Sequence, residues 1–277
     1  MALSDDKHRG PILLVGGGRM GGALLAGWLQ HGIAAADILV IEPDQKSAAA
    51  LAERHPVGVS ASLPERLERA PSVVLFAVKP QVLAEVAPPY RRFAGSGTAF
   101  LSIAAGKTIA FFERHLGAEA AVIRAMPNTP AAVGRGITVL TANGAASEEQ
   151  MGFCEILMSA VGQVRWAADE AQIDAVTAVS GSGPAYVFLL IECLAEAGVA
   201  AGLPGDLAMD LARATVAGAG ELAYQSSEPA EILRRNVTSP GGTTAAALDV
   251  LMAPDGLRQL MTRAIAAAAR RSRELAD

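Results

Sequence analysis

Two stretches of this chain set backbone donors and hydroxyls where an anionic ligand could be gripped. The first is ILLVGGGRMGG, residues 12–22. Ile12, Leu13, Leu14 and Val15 read as a buried parallel strand. Gly16, Gly18 and Gly21 then satisfy G-x-G-x-x-G, and residues 23–29 continue as a helix. The first glycine permits the tight turn, the second lets a pyrophosphate reach the backbone, and the third lets helix and strand pack closely. A glycine-rich turn without a ligand is the bland alternative; strand before, helix after and position near the start favour a dinucleotide. The second stretch is NVTSPGGTTAAALDVL, residues 236–251. A helix N-terminus presents unpaired N–H groups and the positive end of the macrodipole, which suits a carboxylate. Gly241 and Gly242 allow close approach, while Ser239, Thr243 and Thr244 add side-chain donors. An ordinary N-cap would look the same. Together with the dinucleotide fingerprint, the segment describes a reductase.

These residues need elements to position them. From Pro11 to about Trp166 strand-like and helix-like patterns alternate, as in a doubly wound α/β sheet. The strand-like runs are 12–15, 38–41, 73–78, 99–103, 121–125, 137–140 and, more weakly, 163–166. Residues 47–54, 64–69, 109–116 and 147–161 read as helices. After Asp169 strands vanish, and 169–179, 184–201, 206–225, 229–236, 243–251 and 256–275 all read as helical. The sequence therefore divides into a Rossmann-type dinucleotide-binding domain, residues 1–168, and an all-helical domain, residues 169–277.

Ligands in open α/β sheets lie beyond the carboxyl ends of the strands. Ala77, Val78, Lys79 and Pro80 follow one strand, with Pro80 forcing Lys79 out of the helical region. SIAAG, residues 102–106, follows the next, with small residues such as Ala104 and Ala105 beside Ile103 that permit close approach to a cofactor. RAMPNTP, residues 124–130, follows a third, where two prolines stiffen the loop and Asn128 offers an amide as a substrate-binding candidate. Each alone could be a plain strand-to-helix turn. The strand at 38–41 ends at Glu42, which could accept hydrogen bonds from both ribose hydroxyls of NAD and repel the extra phosphate of NADP. Its spacing is long, however, and Pro43 is positioned to turn it away. Only Lys46 follows closely to meet a phosphate, so the residues lean toward NADH.

Composition narrows the class. The 277 residues carry a formal net charge of -5 and few aromatics, a balance that argues against nucleic acid. Nothing reads as a signal peptide. The charge-free run 175–191 is interrupted by Gly181, Gly183 and Pro184 and reads as too short and broken for a bilayer. Cys154 and Cys193 lie in apolar helical contexts and read as reduced core thiols. No His, Cys and carboxylate cluster has ligand spacing. The expectation is a soluble cytoplasmic protein without a metal. Helix 184–201 has Glu192 and Glu196 as its only charges, so it must be buried nearly all round. Either a second subunit or its own neighbours cover it.

Six segments, GGGRMG, AVKPQ, SIAAG, RAMPNTP, AVSGSGPAY and NVTSPGGTT, occur in this order and together resemble the pyrroline-5-carboxylate reductase family along almost the whole chain. The resemblance implies an N-terminal Rossmann domain and an all-helical domain that interlocks with a partner subunit. It also implies higher oligomers built from those dimers, such as a decamer, and a site where the two domains of a dimer meet. It assigns the cofactor, NADPH or NADH, to the glycine-rich turn (Gly16, Gly17, Gly18, Arg19, Met20, Gly21) and to the loops at 77–80 and 103–105. Ser239, Gly241, Gly242, Thr243 and Thr244 would hold the carboxylate of 1-pyrroline-5-carboxylate, with Thr244 reaching the ring nitrogen. Arg19 stands where asparagine or glutamine is more usual, and Glu42 sits uneasily with the family's common NADPH preference.

Such a substrate is a cyclic imine whose protonated carbon is already electrophilic, so hydride transfer needs positioning more than acid chemistry. That suits a chain whose four histidines, His8, His31, His55 and His115, lie outside every motif. The SGSG turn at 180–183 would line the pocket, or merely kink two packed helices. A hydroxyacid dehydrogenase would need a lysine or histidine acid, and residues 169–277 contain neither. A sensor that binds NAD(P) without turnover would have no use for a carboxylate cradle.

Overall fold

The structure, a computed structural model, describes residues 10–275. They form two compact units, one running to Gly181 and including the end of the chain from Ala269, the other spanning Ser182–Ala268.

The first unit is built on one eight-stranded sheet. Its strands are β1 (Ile12–Val15), β2 (Ile38–Ile41), β3 (Gly58–Ser60), β4 (Val73–Phe76), β5 (Ala99–Ser102), β6 (Ala121–Met126), β7 (Gly136–Ala142) and β8 (Gly162–Trp166). The spatial order is β3-β2-β1-β4-β5-β6-β7-β8. All neighbours are parallel except β6 and β7. The helices between them are α1 (Arg19–Gln30), α2 (Gln45–Arg54), α3 (Leu83–Val86), α4 (Ile109–Leu116) and α5 (Glu148–Ser159).

Four-residue apolar strands such as ILLV and VVLF are buried along their whole length because helices cover both faces of the sheet. Alternation then splits each strand between two cores. Ile12 and Leu14 join Leu24, Leu25 and Trp28 of α1 and Leu157 and Met158 of α5. Leu13, Val15 and Phe76 join Tyr90, Phe111 and Phe112 on the other face. Trp28 Nε1 ties the first layer together by donating to the Leu157 carbonyl, 2.8 Å away.

Two expectations fail here, and one strand was not foreseen. Residues 64–69 form no helix; a six-residue candidate bounded by Pro64 and Pro71 cannot offset the cost of nucleation. Leu63 and Leu67 pack on the core instead, and the Arg92 guanidinium clasps the Pro64 and Glu65 carbonyls. β3 is an edge strand of exposed and half-buried residues without an apolar run. Residues 175–191 pass from α6 (Gln172–Val176) through a π-helical turn, Thr177–Gly181, to a bend at Ser182 that caps the next helix, so the interruption is slight. The continuous helical stretch Gln172–Ala200 is, by length and composition alone, long and apolar enough to cross a membrane.

The second unit is helical: α7 (Gly183–Ala200), α8 (Gly205–Gln225), α9 (Ala230–Asn236), α10 (Thr243–Leu251) and most of α11 (Leu257–Glu274). α7 and α8 meet through small residues, with Ala195, Ala208 and Ala212 buried. Much of α7 stays open in the single chain: Val187, Phe188, Leu189 and Leu190 are all exposed. Cys193 is exposed too, so it is no core thiol, whereas Cys154 is fully buried. The end of α11 returns to the first unit, where Ser272 Oγ donates to Asp174 Oδ1 at 2.7 Å.

Candidate functional site

The register of the sheet decides where the first group of site residues falls. Val15 lies opposite both Ile41 and Phe76, Phe76 opposite Ser102, and Ser102 opposite Arg124. The loops after β1, β2, β4 and β5 therefore leave the same carboxyl edge side by side, and β6 runs two residues further before its own. The ladder continues one residue further, with Gly16 N donating to the Ile41 carbonyl, Ala77 N to Val15 and Ile103 N to Phe76. The chain passes from β1 to β2 and β3 on one side and resumes at β4 on the other. This puts the topological switch point, where doubly wound sheets take their ligands, between β1 and β4.

Each glycine of the fingerprint carries its own geometric reason. Gly16 has φ +99°, and a Cβ there would meet Val78 Cγ1 at 2.8 Å. Gly21 packs against the turn so closely that a Cβ would lie 2.2 Å from the Gly16 carbonyl oxygen. Gly18 is the opposite case. It caps α1 with φ -64° and no side-chain cap, and a Cβ would meet nothing within 4 Å. An open space over an uncapped helix N-terminus is what a pyrophosphate needs, so these residues fit a dinucleotide. Arg19 opens α1 and is exposed, and half-buried Met20 packs against the core.

Glu42 does not turn away, contrary to what Pro43 suggested. Its Oε2 accepts from Gly17 N at 2.8 Å, and its Oε1 accepts from Asp44 N at 3.0 Å. The carboxylate is drawn back to the glycine-rich turn despite the long spacing. Asp44 caps α2 by accepting from Ser47 N at 2.8 Å, and the Ser47 hydrogen bonds hold its carboxyl below the ordinary carboxylate range.

Beside this turn, Lys79 is extended before Pro80, as the proline demands, and its side chain is exposed. Ala77 and Val78 are half-buried behind Gly16. In the next loop Ile103 is half-buried, Ala105 exposed, and Ala104 buried with its N–H held by Ser102 Oγ at 3.2 Å. The third loop begins later than expected, since Arg124 and Met126 belong to β6. Asn128 braces it, its Oδ1 accepting from Ile137 N at 2.9 Å at the start of β7.

Sequence reasoning missed one part of this edge. Arg124 is 3% exposed, and its Nη1 pairs with Glu170 Oε1 at 2.9 Å. The same carboxylate oxygen accepts from Ile109 N, the first residue of α4, at 2.8 Å. Glu170 thus fastens β6 to the helix that follows the 103–106 loop. An arginine inside the apolar run AVIRAM was the available signal, because a buried cation requires a partner. Nearby, the π-helical turn seats Gly181 on Met126, where a Cβ would come within 2.4 Å of its Cε, and the Ser180 hydroxyl is buried without a hydrogen-bond partner.

In the second unit the SPGG segment forms a tight turn. Pro240 presets the turn, Gly241 follows with φ +68°, and Gly242 N donates back to the Ser239 carbonyl at 3.1 Å. Gly242 then caps α10 in an extended conformation with no side-chain cap. The first-turn N–H groups of Thr243 and Thr244 consequently lack the usual capping partner. Thr243, Ser239 and Gly241 are exposed, while Thr244 and Gly242 are half-buried.

Two family models match separate parts of the chain. A family model described as pyrroline-5-carboxylate reductase dimerisation matches residues 170–275, and one described as coenzyme F420-dependent NADP oxidoreductase matches residues 11–106. The chain is similar to pyrroline-5-carboxylate reductase from Pisum sativum, 40% identical over 99% of this chain and 97% of the relative. The solved pyrroline-5-carboxylate reductase from Coxiella burnetii is 35% identical, with a TM-score of 0.90 over 97% of this chain and 99% of its own. That of Plasmodium falciparum, solved with NADP bound, is 29% identical, with a TM-score of 0.81 over 96% and 98%.

Proposed function

The chain belongs to the pyrroline-5-carboxylate reductase family and reduces pyrroline-5-carboxylate to proline, and we propose how its residues divide that work. Residues 1–168 bind the reduced nicotinamide dinucleotide, and residues 169–277 bind the substrate and the partner subunit. The dinucleotide supplies a hydride. Gly16, Gly17, Gly18, Arg19, Met20 and Gly21 hold its pyrophosphate, Glu42 its adenosine ribose, and the loops at 77–80 and 103–105 its nicotinamide end.

The observation that carries the substrate assignment is the uncapped N-terminus of α10 behind the SPGG turn. Its backbone N–H groups at Thr243 and Thr244, with the Ser239 hydroxyl, receive the carboxylate at the positive end of the helix dipole. Thr244 is the catalytic residue: its hydroxyl hydrogen-bonds the ring nitrogen while positive charge leaves it. Asn128 stiffens the third loop from within, a role its bond to Ile137 supports. No histidine or paired carboxylate is needed, because the protonated imine brings its own electrophilicity.

The exposed apolar side chains of α7 are the surface that a second copy covers, which the match to a dimerisation family supports. The same burial accounts for a helix of membrane-spanning length without a membrane. Assembly of dimers into larger rings such as a decamer, and residence in the cytoplasm with both thiols reduced, complete the proposal.

The test is Thr244→Ala and Thr243→Asp assayed with pyrroline-5-carboxylate. The first is expected to lower turnover and the second to raise the substrate KM above any change in the cofactor KM. Wild-type kinetics in both variants would refute the α10 site.

A further inference from the structure

We infer that Glu42 makes this enzyme selective for NADH over NADPH, by fixing a carboxylate where the 2′-phosphate of NADPH would have to sit. The inference deepens the proposal that the glycine-rich turn binds the dinucleotide, and it rests on that proposal.

A glutamate has three side-chain torsions and, at the end of a strand, could point into solvent. Glu42 does not. Ile41 pairs with Val15, so Glu42 emerges level with Gly16 at the carboxyl edge. Both of its oxygens are then engaged by main-chain donors of that edge, Gly17 N at 2.8 Å and Asp44 N at 3.0 Å. Leu51 of α2 closes the cluster from behind, since a Cβ on Gly17 would meet Leu51 Cδ1 at 2.1 Å. The carboxylate is held beside the turn before any ligand arrives, so it does not have to be ordered on binding.

Its chemistry separates the two cofactors. An ionised carboxylate offers about four acceptor positions, and only two are filled here. The 2′- and 3′-hydroxyls of an unphosphorylated ribose can donate to the rest. A phosphate at the 2′ position is an acceptor carrying up to two negative charges; it has no proton to give Glu42 and is repelled by it. The residues that follow offer little relief. Glu42, Pro43, Asp44, Gln45 and Lys46 set two carboxylates against one ammonium, and the Asp44 carboxylate is already kept ionised by capping α2. An arginine, the usual phosphate fork, comes only at Arg54, at the far end of that helix. The Plasmodium relative was solved with NADP bound, so the shared fold admits the phosphate and the discrimination belongs to this chain's own residues.

Two measurements test this on the intact enzyme. The first is kcat/KM for NADH and for NADPH with pyrroline-5-carboxylate. The second, independent of turnover, is calorimetric binding of 5′-AMP against adenosine 2′,5′-bisphosphate. A carboxylate a few ångströms from a phosphate in a half-exposed site predicts a preference of roughly a hundredfold for NADH, and the same order for 5′-AMP. Glu42→Gln, which keeps the size and one carbonyl acceptor but removes the charge, should narrow both preferences by about tenfold or more. If that variant melts early, the wild-type pair of fragment affinities still decides the matter. Equal or better use of NADPH by the wild type, or an unchanged ratio in Glu42→Gln, overturns the inference and leaves the reductase assignment standing. Failure to bind or consume either cofactor overturns the dinucleotide reading itself, and the inference with it.

Discussion

Gly18→Ala separates the architecture of the glycine-rich turn from its use. At this position φ is -64° and ψ is -167°, which alanine adopts without strain, and the added methyl meets no atom within 4 Å. Removing a glycine from the unfolded chain gains about 0.4–1 kcal/mol, and alanine loses a similar amount as a poorer N-cap. Stability should therefore stay within about 1 kcal/mol, a melting shift of roughly 2–4 °C at most. Binding should change far more. The methyl intrudes on the open space over the first-turn N–H groups of α1, and each charge-assisted hydrogen bond lost is worth about 1.5–3 kcal/mol. Titration with NADH, read by calorimetry, should show affinity reduced roughly tenfold to a hundredfold. Gly21→Ala is the contrast. Its Cβ would stand 2.2 Å from the Gly16 oxygen, and Gly16 cannot retreat because Ala77 and Val78 lie behind it. Overpacking of this kind costs about 1–3 kcal/mol, so melting temperature and affinity should fall together. Unchanged NADH affinity in a well-folded Gly18→Ala would show that the pyrophosphate does not lie over this turn.

Thr244→Ala should reduce turnover about tenfold to a hundredfold, the worth of one hydrogen bond to a charge-changing atom; complete loss in a folded enzyme would make Thr244 an essential proton donor, against the present account. Thr243→Asp should raise the KM for pyrroline-5-carboxylate and leave NADH affinity within about twofold, and equal damage to both would be the contrary finding. Glu170→Leu leaves Arg124 charged and buried, so unfolding free energy should drop by about 3 kcal/mol, with melting some 6–12 °C lower; a neutral result would mean the pair is idle. Burial pushes the Cys154 thiol from 9.0 up to about 12. The unfolded chain thus releases this proton first, and stability, complete below pH 9, declines as pH rises toward 12. Cys154→Ala should remove about 1.4 kcal/mol per pH unit of that decline, read from melts between pH 8 and 11, and parallel curves for the two proteins would refute it.

Much of the fold could be read from local pattern because the strands that carry the site are continuous apolar runs bounded by glycine, proline or charge. ILLV, VVLF and AFLS could hardly be anything other than strands covered on both faces. The reversal at β7 is not a matter of residue type. It follows from the connection, since residues 127–135 are too few for a parallel crossover. β3 escaped notice because an exposed edge strand of Gly, Val and Ser has no hydrophobic alternation to display. The six-residue helix expected at 64–69 showed charge and periodicity, yet tertiary anchoring by Leu63, Leu67 and Arg92 decided its conformation.

For the site, the glycine-rich turn was legible because Gly16 and Gly21 answer steric demands that only glycine meets, while Gly18 leaves open space over the start of α1. The aim of Glu42 was not, because it depends on two backbone N–H groups that become neighbours only when β1 and β2 pair. Glu170 gave no local sign at all. Its role exists only through Arg124 and Ile109, residues far away in sequence that the sheet edge brings to one carboxylate.

The central assignment is the grip of the α10 N-terminus on a small carboxylate, and a crystal structure with proline and oxidised cofactor tests it most directly. The carboxylate is expected within hydrogen-bonding distance, about 2.7–3.2 Å, of the Thr243 and Thr244 backbone nitrogens, with the ring nitrogen facing the Thr244 hydroxyl. Proline bound elsewhere while that helix end remained vacant would contradict the account.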